Sequence, residues 1–206
     1  MTAEEFLLRR AVVSGFAFLY WAGVWVQARR VRKRIGRSPN LKPRGLKEKL
    51  LWLGWLVVIL IWMTQSWFIA HVPGAHLMDP LVSRPALVAG IALTVAGYVA
   101  TLWCYAAMGD AWRIGINAKE KNTLVNRGPY RFVRHPIYLF QMVMLAGGVL
   151  LLPTILSFVI LLVHLVCVLI KAGDEETYLL SVHGEAYRDF MASTGRLLPK
   201  ICRKNF

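Results

Sequence analysis

Residues 137–170 are mostly apolar and carry no Lys, Arg, Asp or Glu, and Pro153 is their one proline. That run constrains the chain more than any other feature. As a single helix it would be about 50 Å long, too long to cross a hydrocarbon core of ~30 Å once. Split at Pro153, it gives two helices of ~25 Å each, joined as a hairpin. Three further stretches, 11–28, 50–70 and 86–108, are apolar enough to cross as well. Gly90 and Gly97 in the third offer small residues against which another helix can come close. The expected fold is an all-α integral membrane protein with about five transmembrane helices, the last two a hairpin. Composition agrees. The chain is 57% hydrophobic and 17% charged, whereas soluble domains run near ~45–50% apolar and ~25% charged. Disordered chains are less hydrophobic still.

The net charge is +14, from 25 Lys and Arg against 11 Asp and Glu. Nucleic-acid binding and positive-inside topology both generate such an excess, and placement separates them. The segments 29–49, 109–136 and 171–206 hold ten, six and six of the basic residues, and only Arg9, Arg10 and Arg84 lie elsewhere. With five spans, those three segments share one side. The positive-inside rule makes that side cytoplasmic, with the N-terminus outside and the C-terminus inside. The high charge then needs no nucleic acid. A multi-pass protein of a bacterial or archaeal inner membrane is expected, or of the endoplasmic reticulum in a eukaryote. The bilayer is its first partner, and the oligomeric state is left open.

Cys104, Cys167 and Cys202 are far apart and form no CxxC pair, so neither a disulfide framework nor a zinc or other metal site is expected. MTAEEFLLRR places acids before its basic pair and reads as no removable signal peptide. No GxGxxG after a strand, GxxxxGK[ST], HExxH or GxSxG occurs. Any cofactor must therefore sit among helix ends and loops.

Polar information concentrates in two blocks. The first, 109–138, contains GPYRFVRHPIY. Pro136 biases His135 away from helical dihedrals and can itself open the fourth span. Arg134 and His135 then stand at a helix N-terminus, a place that favours an anionic group. Interfacial anchoring accounts equally for Arg127, Arg131 or Arg134. In the second block, 171–199, Lys171 and Glu175 are four apart. They form an ordinary helix-face ion pair, or a cation that orients an anion beside a carboxylate that receives hydroxyls. The acids Asp174 to Glu176 end an apolar helix and oppose the local basic trend, which points to function for Glu175 and Glu176. His164 lies within the fifth span, either functional or neutral and hydrogen-bonded. His71 and His76 receive no role. Tyr and Trp near span ends read as interfacial belts.

GPYRFVRHPIY, a helical hairpin, then EETYLLSVHGEAYRDF and Pro199 together resemble the isoprenylcysteine carboxyl methyltransferase family. The wider group of that family includes integral-membrane phospholipid methyltransferases. The resemblance covers roughly residues 110–200 and is specific for the superfamily, not for a substrate. It implies S-adenosyl-L-methionine as cofactor, contacted by Asn122, Thr123, Leu124, Val125, Tyr130, His135, Pro136, Ile137, Tyr138 and Glu175. Gly115 stands where the family has a contacting Gln, and Asn122 where it usually has His. Lys171 stands at a substrate-orienting Arg, keeping the charge without the bidentate fork. The resemblance and the two blocks together make Arg134, Lys171, Glu175 and Glu176 the catalytic candidates. Arg134 and Lys171 are the residues expected to orient an anionic substrate. The expected division is a three-span scaffold with its basic loop in 1–108 and a methyltransferase core in 109–206. The acceptor is expected to be lipophilic or a small molecule. An isoprenylcysteine carboxylate is the nearest model, with a phospholipid amine or small thiol as alternatives. An NADPH-dependent sterol-reductase-like enzyme and an inactive membrane scaffold are the competing classes.

Overall fold

The computed structural model describes residues 2–39, 45–69, 77–113 and 124–200. Six α-helices occur among them: α1 (Ala3–Ile35), α2 (Gly45–Phe68), α3 (Arg84–Met108), α4 (Pro136–Leu151), α5 (Ile155–His183) and α6 (Glu185–Ser193). The protein is an all-α membrane protein. Four helices, α1, α2, α3 and α5, are long and apolar enough to cross a bilayer, and α4 is a shorter apolar helix.

Local chemistry fixes most of the helix ends. The Thr2 hydroxyl accepts from the Glu5 N–H, Glu4 and Glu5 occupy the first turn of α1, and Arg32, Lys33 and Arg34 occupy its last. Each set opposes the helix dipole. Gly36, at φ 72°, closes α1 in the left-handed conformation. Ser83 caps α3 and Thr154 caps α5 through their hydroxyls. As the sequence predicts, α4 begins at Pro136 and the hairpin turns around Pro153. The second arm is longer than predicted. It continues past residue 170 to His183, because nothing in 171–183 breaks a helix, and ends where Gly184 takes φ 53°.

The closest packing in the molecule joins α3 to α4. Gly90, Thr94, Gly97 and Thr101 form one buried stripe on α3. A Cβ on Gly97 would lie 2.6 Å from Met144 Cγ and 2.8 Å from the Phe140 carbonyl oxygen. A Cβ on Gly147 of α4 would meet the Gly90 carbonyl oxygen at 2.8 Å. Backbone therefore touches backbone along this seam, where lipid supplies no hydrophobic drive and close van der Waals contact must hold the helices. The threonine hydroxyls on the stripe donate to carbonyls in their own helix, Thr94 to Gly90 and Thr101 to Gly97, so no polar group is stranded in the seam.

Ionic contacts gather the three basic segments at one end of the bundle. Arg34 meets Asp110 at 3.1 Å, Lys47 meets Asp174 at 2.6 Å, and Arg134 meets Glu176 at 2.8 Å. The opposite end is closed differently. The sequence counts Arg9 among the few cations of the sparse side, and the structure buries it completely. Its guanidinium donates to the carbonyls of Leu150 and Leu151 at the end of α4, to the carbonyl of Ser83 ahead of α3, and to the Glu5 carboxylate. The Met78 N–H donates to the Pro153 carbonyl nearby.

Candidate functional site

At the basic end α4 starts, α5 overshoots and α6 folds back. Residues 132–135 run beside 194–196 in a short parallel pairing. The N–H groups of Arg134 and His135 donate to the carbonyls of Gly195 (2.8 Å) and Arg196 (3.1 Å). These bonds use backbone donors that stand just ahead of the N-terminus of α4, donors that the sequence reading left open for an anionic ligand.

Side chains converge on a pair of carboxylates from α5. The Tyr138 hydroxyl donates to Glu175 Oε1 at 2.8 Å. His135 Nδ1 lies 3.4 Å from Glu175 Oε2, and Nε2 lies 3.5 Å from Glu176 Oε1. Both distances favour attraction but are long for well-formed hydrogen bonds. The His135 and Tyr138 rings stack with centroids 5.7 Å apart. Burial disfavours the charged imidazole, but the Glu175 and Glu176 carboxylates on either side outweigh it and hold the His135 pKa above its ordinary value.

A cavity of about 380 Å³ extends from this cluster into the bundle. That volume lies within the range of sites that enclose a small organic ligand. Leu124, Val125, Tyr130, Arg134, His135, Ile137, Tyr138, Lys171 and Glu175 all border it. Pro136 is buried as the first residue of α4, and Glu176 sits beside the cavity without lining it. Gly115, Asn122 and Thr123 lie outside the described residues, as do His71, His76 and Cys202. Thus every predicted site residue within the described segments falls in one cluster, although residues 124 and 175 are remote in the chain.

Three side chains have partners that the sequence did not predict. Lys171 is buried and faces Glu48 of α2 at 4.0 Å, not the helix-face partner Glu175, which is engaged with Tyr138. Glu48 sits on the extra turn by which α2 precedes its apolar run. Arg134 is only 8% exposed. It donates to Glu176, to the Met191 carbonyl at 3.3 Å and to the Thr194 carbonyl. Those bonds tie the guanidinium to the end of α6, while the side chain also borders the cavity. Arg127 donates to the Ala107 carbonyl at 2.8 Å and so caps the end of α3.

The cavity also has walls that the two polar blocks do not reveal. Trp52, Trp55, Ile59 and Trp62 of α2 border it at helical spacing, together with Tyr20 of α1 and Gln141 of α4. Trp55 and Trp62 therefore form part of the cavity wall. The signals were present: a tryptophan stripe on one face of α2, and Gln141 as a lone amide in an apolar helix. Gln141 donates to the Tyr20 hydroxyl. His164 borders the inner part of the cavity, buried, and neither ring nitrogen has a hydrogen-bond partner among the described residues. On α5 the residues His164, Lys171 and Glu175 share one face, and the span from His164 to Glu175 is about 16 Å along the axis. The cavity is thus charged at one end and apolar, with scattered uncharged polar groups, toward the other. Among the described residues, no group of three or more His, Cys, Asp or Glu side chains is arranged to hold a metal ion.

A family model described as phospholipid methyltransferase matches residues 85–186, from the first turn of α3 into α6. No curated protein matches the chain.

Proposed function

The chain belongs to the phospholipid methyltransferase family of integral-membrane methyltransferases, and from that premise we propose that it methylates a lipophilic acceptor with S-adenosylmethionine as donor. The nearest acceptor model is an isoprenylcysteine carboxylate. The observation that carries this reading is the contact of Tyr138, Glu175 and His135 at the charged mouth of an otherwise aromatic and aliphatic cavity. S-adenosylmethionine supplies, when bound, a methyl group on a positively charged sulfur. The residues present fit such a donor. Glu175 offers a carboxylate to hydroxyl groups or to positive charge, held in place by the Tyr138 hydroxyl. Tyr130 and His135 give buried rings beside it, and Leu124 and Val125 extend the wall.

Methyl transfer from a sulfonium is an in-line displacement, so positioning matters most. The walls contributed by Trp55, Trp62 and Ile137 are aromatic and aliphatic, and a water-poor site favours a step in which opposite charges disappear. Lys171 is the cation that faces the acceptor. A carboxylate is ionised at neutral pH and needs no general base. A second reading, methylation of a phospholipid amine, is favoured by Glu48, whose carboxylate 4.0 Å from Lys171 already offsets that cation. An amine must lose a proton, and Glu175 and His135 are the acid–base groups on the wall for that task. The basic end faces the cytoplasm in this reading, by the positive-inside rule, and the acceptor arrives from the bilayer.

The test is to incubate membranes containing the protein with labelled S-adenosylmethionine and to identify the product. The expected outcome is a label on one lipid-soluble species, absent with Glu175→Ala. Binding of NADPH by the purified protein, without binding of S-adenosylhomocysteine, would reject the reading in favour of a reductase.

A further inference from the structure

The family match ends at residue 186, yet the site is wired to residues beyond it. After α6 the chain turns back and lies along 132–135. The Arg196 carbonyl accepts the His135 N–H at 3.1 Å. The Arg196 guanidinium donates to Glu176 Oε2 through Nε at 3.0 Å and through a terminal nitrogen as well. Glu176 is almost fully buried, and its other oxygen accepts from Arg134 at 2.8 Å while lying 3.5 Å from His135 Nε2. One residue therefore reaches the His135 backbone directly and the His135 ring through a single carboxylate.

We propose that Arg196 is a positioning residue of the donor pocket, fixing through Glu176 where the His135 imidazole stands. This rests on the reading of that pocket as the methyl-donor site. Arg196 does not border the cavity, so it acts through other groups. Its side chain is 45% exposed, and Glu176 keeps Arg134 if the guanidinium is removed. Loss of Arg196 therefore strands no buried charge, which separates its positioning role from a merely structural one. The charged and titratable groups around His135 are Glu175 and Glu176 of α5, Tyr138 of α4, Arg134 of its own loop, and Arg196; Tyr187 of α6 lies near Glu176 and Arg134. Taking away one cation leaves the Glu176 charge acting more fully on the imidazole. The protonated ring is then favoured, and its titration moves to higher pH.

The experiment is calorimetric titration of the full-length protein in lipid nanodiscs with S-adenosylhomocysteine across a pH series. Arg196→Gln is expected to weaken binding about tenfold, a factor equal to ~1.4 kcal/mol, and to move the pH midpoint of binding upward. Arg196→Lys should return the midpoint most of the way, since it keeps the charge. Unchanged affinity would overturn the proposal, and so would weaker binding with an unmoved midpoint. Histidine NMR of the same proteins reads the His135 titration without any ligand. An upward shift in Arg196→Gln supports the link even if wild-type protein binds no S-adenosylhomocysteine, a result that would instead remove the donor reading. An unmoved His135 titration overturns the link in either case.

Discussion

Each end of this bundle buries an arginine, and the two are used differently. Arg9 is completely buried and donates to three backbone carbonyls and one glutamate of its own helix. Arg134 is 8% exposed and donates to two carbonyls at the end of α6 and to Glu176. In both cases a guanidinium donates to carbonyls in the last turn of a helix, where the helix itself supplies no further N–H: Leu150 and Leu151 of α4 for Arg9, Met191 and Thr194 at the end of α6 for Arg134. At the Arg9 end the network stops at Glu5, and the hollow of about 360 Å³ that adjoins it is the more open of the two, bordered by Glu4, Glu5, Arg84 and a few aliphatic side chains. At the Arg134 end the arrangement continues through Glu176 to His135, Glu175 and Tyr138, which face the cavity. The lesson is that a buried arginine by itself does not mark a site. What distinguishes the second end is a cavity that runs into the bundle between aromatic walls, with His135, Tyr138 and Glu175 joined to one another at its mouth.

That contrast can be broken from both sides. The largest effect is expected at the cavity. Glu175→Ala should lower methyl transfer by at least about 100-fold, the scale that loss of positioning produces. Its melting temperature should stay close to that of the wild type, because Glu175 is not among the partners of either buried arginine. Comparable loss of fold and activity together would erase the distinction. Next comes Arg9→Met, which removes the carbonyl clamp and leaves Glu5 without its partner. It should cost about 2–4 kcal/mol of stability, read as a fall in thermal unfolding in detergent. Methyl transfer per folded molecule should be retained, since Arg9 is far from the cavity. The smallest effect is on pH dependence. The His135 pKa is raised in the folded protein by its carboxylate neighbours. Its contribution to stability is therefore complete below the ordinary imidazole pKa of ~6.5 and is lost as pH rises through the raised value. Melting temperature measured from pH 6 upward should fall more in wild type than in His135→Gln. Equal slopes would show that the ring and the carboxylates do not interact.

Much of the fold is legible in the sequence because lipid imposes a local rule. Every backbone group within the bilayer must be satisfied inside its own helix, so apolar runs, caps and Pro153 mark the helices one segment at a time. The start of α4 at Pro136 is legible for the same reason. The Gly90–Gly97 stripe announces a close neighbour but does not say that α4 is the one. The candidate residues of the two blocks are legible as residue types. Their partners are not: helical spacing matches Lys171 to Glu175, whereas the assembled bundle sets it against Glu48.

The sequence alone determines that this is a helical membrane protein whose basic segments share one end, and it marks the two stretches that carry the chemistry. Tertiary structure alone decides that Arg134 ties down α6, that Arg9 is buried, that tryptophans of α2 line the cavity, and that Arg196 reaches His135. The physical reason is range. Helix formation depends on residues within a turn or two of each other. The choice among several carboxylates for one cation depends on which helices touch and how closely, and small residues far away in the chain set that spacing.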